Sequence, residues 1–228
     1  MNDTDLLARL AVEPLETGMI VGLGTGRAAT RGIHALAARV NQGTLKVQCV
    51  ATSEASGSLA RELGLTVLPF AEVERVDYLF DGADEVAPDL SMLKGHGGAM
   101  TREKIVAQAS AKRVYLVDET KMVTRIGERF ALPIEVLPFA LASVRTRLTA
   151  LGLEGPIRTR EGGDIYHTDN GFVVIDAAVQ PGADVRSLNE SLAAIDGVLG
   201  HGLFLTEADE VFVESKDRSD VKRLTRKR

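Results

Sequence analysis

Apolar residues collect in short runs at 19–23, 45–51, 76–80 and 114–117, broken only by Lys46, Gln48 and Asp77 among charged and amide side chains. These runs are rich in branched side chains and recur about every thirty residues, the length of a strand with its return helix. Between the first two, Ala29, Ile33, Leu36, Ala37 and Val40 repeat at steps of three and four, which puts one apolar stripe on a helix. Residues 56–63 read as a shorter helix closed by Gly64. This spacing predicts βα units that build a parallel sheet.

Beyond Phe130 the rhythm changes. Residues 134–139, 157–159, 165–167 and 172–175 read as strands, Val144, Leu148 and Leu151 share a helical face, 188–195 is helical and 198–205 extended. That order is similar to a ferredoxin-like split unit with an extra hairpin strand. A last strand at 210–213 returns to the first sheet, which makes the small domain an insertion. The predicted fold class is therefore α/β. A Rossmann-like parallel-sheet domain occupies 1–130 with 207–228, and a smaller α+β ferredoxin-like domain occupies 131–206, inserted near the C-terminus.

Composition narrows the classes of function. The chain has 228 residues, 45% apolar and 26% charged, with 22 glycines, one cysteine and a net charge of −5, which excludes disordered, collagen-like and disulfide-scaffold proteins. No apolar run approaches the ~20 residues of a membrane span. The acidic N-terminus lacks the basic and apolar regions of a secretory signal. With the unpaired Cys49, these features predict a cytoplasmic protein. The basic cluster at 222–228 reads as a solvated terminus, and a basic tip on an acidic chain argues against a nucleic-acid partner.

Ligands of an open parallel sheet bind outside the carboxyl ends of its strands. There the first run enters Gly22-Leu23-Gly24-Thr25-Gly26-Arg27-Ala28, glycines that let backbone approach an anion at the start of a helix. A dinucleotide reading fails on the second strand, which ends in Ala51-Thr52-Ser53 where a ribose-binding acid is expected. The third ends in Asp81-Gly82-Ala83-Asp84-Glu85, and two aspartates three apart can face one point and trade protons with hydroxyls. A hard cation held by oxygens is the rival use of these acids, although no His or Cys joins them. Lys94-Gly95-His96-Gly97-Gly98 then leads into a helix with Glu103 near its first turn, and the fourth strand ends at Lys121. A carboxylate base and cations converging on one edge fit an anionic substrate.

Taken together, the motifs at 22–26, 81–85, 94–104, 117–121, 133–138 and 168–171 resemble ribose-5-phosphate isomerase, type A, over nearly the whole chain. The resemblance implies cofactor-free and metal-free interconversion of ribose 5-phosphate and ribulose 5-phosphate through an enediolate, in the non-oxidative pentose phosphate pathway. It assigns Glu103 as general base, Asp81 and Asp84 as the acids that handle hydroxyl protons and ring opening, and Lys94 as the cation beside the substrate oxygens. Gly24, Thr25, Gly26, Arg27 and Ala28 take the phosphate side; Gly82, Ala83, Gly95, His96, Gly97 and Lys121 complete the substrate contacts. It also implies a homodimer or homotetramer, with no nucleic acid or membrane as partner. Arg27-Ala28 replaces the family's usual Ser-Thr, and His96 replaces a glycine. Arg27 can compensate with a bidentate bond to phosphate. A sugar-phosphate sensor, or a paralogue with altered specificity, is the alternative. His34, His167 and His201 read as structural.

Overall fold

A computed structural model describes residues 5–227. In chain order the elements are α1 (Leu6–Val12), β1 (Ile20–Leu23), α2 (Arg27–Asn41), β2 (Gln48–Ala51), α3 (Glu54–Glu62), β3 (Val76–Gly82), β4 (Glu85–Val86) and β5 (Met92–Leu93). They continue with α4 (Met100–Ala109), β6 (Ser110–Asp118), β7 (Leu132–Val136), α5 (Leu141–Ala150), β8 (Val173–Ala177) and α6 (Val185–Ala193). The last are β9 (Val198–His201), β10 (Leu203–Phe204), β11 (Glu210–Glu214) and β12 (Val221–Thr225). Two compact units divide the chain.

The first unit comprises the chain up to Ala83, Arg102–Lys121 and the part from Thr206 on. Its sheet runs β12-β11-β6-β3-β1-β2, parallel except for β12. Side chains alternate along each strand. Val21, Leu23, Tyr78, Phe80, Val114, Leu116 and Phe212 form a core with Leu7 of α1 and Ile33 and Leu36 of α2. On the other face Val50, Val76 and Leu79 pack against Val106 and Ala107 of α4. The predicted stripe on α2 is borne out at Ala29, Ile33, Leu36 and Ala37, which are buried. Gly64, at φ +83°, follows α3 as expected. Parallel pairing aligns the carboxyl ends of β1, β3, β6 and β11 along one edge.

In the basic C-terminal cluster Lys222, Arg223 and Lys227 are exposed, as a solvated segment would be, and Arg228 lies outside the described residues, but the cluster also carries a strand that the sequence reading did not predict. Residues 221–225 form β12, antiparallel to β11, and Arg223 bonds Glu210 at 2.5 Å. Sheet pairing there needs backbone, not apolar side chains, so a charged segment qualifies as an edge strand.

The second unit comprises Asp84–Thr101 and Met122–Leu205. Strands β8-β7-β9 make an antiparallel sheet whose connections carry α5 and α6, over a core that includes Ile134, Val144, Leu148, Ile175 and Leu192. A second small sheet, β10-β5-β4, draws 84–101 into this unit, and 122–130 joins it, whereas the sequence rhythm groups both with the parallel sheet. Two-residue strands carry no readable pattern. The predicted strands 157–159 and 165–167 are reduced to single bridges, Ile157 to Ile175, Thr159 to Ile165 and His167 to Val173. Among the described residues, no helix is long and apolar enough to cross a membrane.

Candidate functional site

On the parallel-sheet unit, the carboxyl edge is organised around Asp81. Its Oδ1 accepts from Thr25 N at 3.0 Å and Gly82 N at 2.7 Å, so one carboxylate joins the first glycine loop to the end of β3. Gly24 makes this possible: a Cβ there would stand 2.1 Å from Asp81 Oδ1. Thr25 Oγ1 lies 2.8 Å from both Thr52 Oγ1 and Ser53 Oγ, tying the loop to the end of β2. α2 then starts at Arg27 with Gly26 as a cap that has no side chain, which leaves its first amides and positive dipole end to an anion. Arg27 is exposed there and Ala28 half-buried, with Gly82 and Ala83 half-buried at the end of β3. Lys121 ends the short helical turn after β6 on the same edge. Glu103, 4% exposed, occupies the first turn of α4, where the dipole favours a carboxylate.

The lysine loop belongs to the second unit. Lys94, 2% exposed, has its Nζ 5.5 Å from the centre of the Phe204 ring, and its N–H donates to Gly202 O at 2.9 Å. Gly95 turns the chain at φ +103°, a left-handed conformation that glycine adopts without strain. His96 N donates to Asp84 Oδ2 at 2.9 Å, and its exposed ring packs 5.4 Å from Phe130. Gly97 O accepts from Tyr166 Oη at 3.2 Å.

Other acids near these motifs serve the framework, and His167 and His201 make framework contacts in line with their structural reading. Glu85, the third acid of its turn, is fully buried and accepts from the amides of Gly127, Arg129 and Phe130 at 2.6, 2.6 and 2.8 Å. The motifs at 133–138 and 168–171 meet at buried Glu135, which accepts from Thr101, Thr168 and Asn170. His167 reaches Gly171 O and His201 accepts from Leu203 N, both at 3.4 Å, while His34 is exposed on α2. Arg158, which no sequence signal marks, binds Gly95 O and His96 O at 2.9 Å with Nη1 and Asp176 with its other donors. Among the described residues, no group of three or more His, Cys, Asp or Glu could hold a metal ion.

A carboxylate at a helix start, a second buried carboxylate, an anion-ready glycine loop and lysines make up the inventory for proton transfer on a phosphorylated substrate. Comparison with known proteins follows the same line. The family model described as ribose 5-phosphate isomerase A (phosphoriboisomerase A) matches residues 48–218. Ribose-5-phosphate isomerase A of Desulfatibacillum aliphaticivorans is 43% identical over 92% of both chains. That of Sphingopyxis alaskensis is 39% identical over 96% of this chain and 95% of its own. Among solved structures, ribose 5-phosphate isomerase A from Methanocaldococcus jannaschii superposes with a TM-score of 0.90 at 36% identity over 96% of each chain. A D-ribose-5-phosphate isomerase in complex with phospho-erythronic acid does so at 0.92 and 32% identity, over 98% of this chain and 97% of its own.

Proposed function

The chain belongs to the ribose 5-phosphate isomerase A family, and on that premise we propose that Glu103 is the base of its reaction, with Asp81, Asp84 and Lys94 serving the substrate oxygens. The protein is a ribose-5-phosphate isomerase of the pentose phosphate pathway, interconverting ribose 5-phosphate and ribulose 5-phosphate. Aldose and ketose differ only in where one carbon-bound proton and one carbonyl lie. In the opened aldose the base takes the proton from C2, and the electron pair moves through the new C1–C2 double bond onto O1. A proton passes from O2 to O1 in the resulting enediolate, and the base returns its own proton to C1. One carboxylate thus suffices for both carbon transfers, while Asp81 and Asp84 move the oxygen-bound protons and Lys94 stabilises the oxyanion. The loop from Gly24 to Ala28 receives the phosphate, where Arg27 supplies a guanidinium in place of hydroxyls, and Lys121 adds charge. Gly82, Ala83, Gly95, His96 and Gly97 complete the substrate contacts.

The observation that carries this reading is Glu103 itself, a carboxylate 4% exposed in the first turn of a helix that starts at the carboxyl edge of the sheet. Glu103→Gln should lower turnover by roughly 10³-fold, since general-base catalysis is worth about 10²–10⁴. Titration calorimetry with ribose 5-phosphate should still show binding. Near-normal turnover in that variant overturns the assignment.

The same reading includes a homodimer or homotetramer in the cytoplasm. Phe139, 95% exposed, and Leu199, 46% exposed, support the first part as apolar side chains of the small unit that water alone does not favour. Cys49 supports the second: it is unpaired, and burial pushes its thiol up to about 12. Sedimentation equilibrium at the monomer mass would refute the oligomer, and recovery of the native protein outside the cytosolic fraction would refute the location.

A further inference from the structure

Three side chains that this mechanism leaves unused, Tyr115, Lys104 and Glu207, belong to the same parallel-sheet unit as Glu103. Tyr115 of β6 stands opposite Asp81 of β3 in the parallel register, and both are fully buried. Alternation along β3 gives Asp81 the same face as Leu79, the residue that packs with Val106 and Ala107 of α4. Gly22 makes that packing close, because a Cβ there would stand 3.0 Å from Val106 Cγ1. Glu103 precedes Val106 by three residues and Ala107 by four, so it lies on the same side of α4, one turn nearer its start. Asp81, Tyr115 and Glu103 therefore share one buried layer between sheet and helix. Glu207 is buried just ahead of β11, which pairs with β6, and Lys104 follows Glu103 on α4.

The charges describe the same neighbourhood. Burial holds the Tyr115 phenol well above its ordinary range, and the carboxylates of Asp81, Glu207 and Glu103 push it further, against Arg113. Burial brings the Lys104 ammonium down to about 8, with Glu207 opposing. Arg113 is itself paired with Asp209 at 2.9 Å.

We propose that Tyr115, Lys104 and Glu207 are positioning residues for the isomerisation, two buried groups and one half-buried group in the unit of Glu103 and Asp81 that set how readily the base takes and returns its proton. The proposal rests on reading Glu103 as the base. A base that must both abstract and redeliver a proton works best when neither form dominates. The neutral phenol offers an O–H to carboxylates, and Lys104 offers a cation; both favour the ionised base. Glu207 adds a like charge and opposes ionisation. None of the three touches substrate in this account.

The pH dependence of kcat/KM gives a test with opposite signs. Tyr115→Phe and Lys104→Gln should move the acid limb upward by roughly one pH unit, and Glu207→Gln should move it downward, in line with the shifts that one neighbouring charge or donor produces. KM should hold, and Lys104→Arg should restore the wild-type limb. Acid limbs that stay put in all three variants, or that all move the same way, overturn the proposal. Should Tyr115→Phe fail to fold by thermal melting, the opposed shifts of the other two decide it alone. Glu103→Gln separates the two readings. If that variant turns over, the base assignment fails; if it is inactive while the three profiles match wild type, only this inference fails.

Discussion

Gly24 matters for the atom it lacks. Asp81 occupies the place of its missing side chain, with Cα 2.5 Å and Oδ1 2.1 Å from where a Cβ would be. Gly24→Ala must drive Asp81 away from the amides of Thr25 and Gly82. A displacement of about 1 Å at a reacting group costs roughly 10²-fold in rate, and kcat for Gly24→Ala should fall by that order. A kcat equal to wild type would show that Asp81 does not depend on this approach. The sequence marks Gly24 as a loop glycine, but the reason for it comes from a residue 57 positions later. Asp84 and Glu85 make the same point. They are neighbours of like chemistry, yet Asp84 holds the lysine loop through His96 N while Glu85 is enclosed by three amides of 127–130. Composition cannot separate two such acids, because the difference lies in which distant backbone reaches them.

At the scale of elements, legibility follows burial. β1, β2, β3 and β6 bury most of their length, so each carries a short apolar segment, and the site loops at their ends can be located from the sequence. β4, β5 and β10 are two residues long, and β12 reads Val-Lys-Arg-Leu-Thr; their pairing rests on backbone that leaves no periodic trace. α1 has a clear start in Asp5, whose side chain accepts from Ala8 N, but one short helix at a chain end offers little pattern. The lysine loop depends on a contact of this unreadable kind. Arg158 uses one nitrogen for two loop carbonyls and two others for Asp176, a planar fork that lysine cannot reproduce. Arg158→Lys should lower kcat/KM by roughly tenfold through a loosened loop. Steady-state assays with ribose 5-phosphate check this, and an undiminished kcat/KM would mean that the loop holds its shape without the fork.

For the molecule as a whole, the net charge of −5 hides an ordered pairing of acids with arginines on the parallel-sheet unit. Arg31 of α2 joins Asp5 ahead of α1 to Glu214 at the end of β11, at 2.6 and 2.5 Å. Lys112 of β6 and Arg223 of β12 meet on Glu210 of β11, both at 2.5 Å, and Arg113 holds Asp209. These bonds connect segments that are far apart in sequence, including the edge strand that the apolar pattern misses. At half-buried Asp5 and Asp209 and at buried Glu210, burial pushes the carboxyl upward, and the cationic partners outweigh it, so each ends below its ordinary value. The sign of the consequence follows. The unfolded chain, with ordinary carboxyls near ~4, binds protons at higher pH than the folded chain does. Stability from these pairs is therefore fully present above about pH 5 and is lost as pH falls through the depressed folded values. Because the cationic partners are partly exposed, each pair contributes modestly and the effect is their sum. Urea midpoints should be level between pH 7 and 6, below the range in which Lys104 titrates, and fall steadily below about pH 4. Arg223→Ala should shorten that fall by removing one partner of Glu210, and a midpoint unchanged down to pH 3 would show that these pairs do not hold the sheet edge.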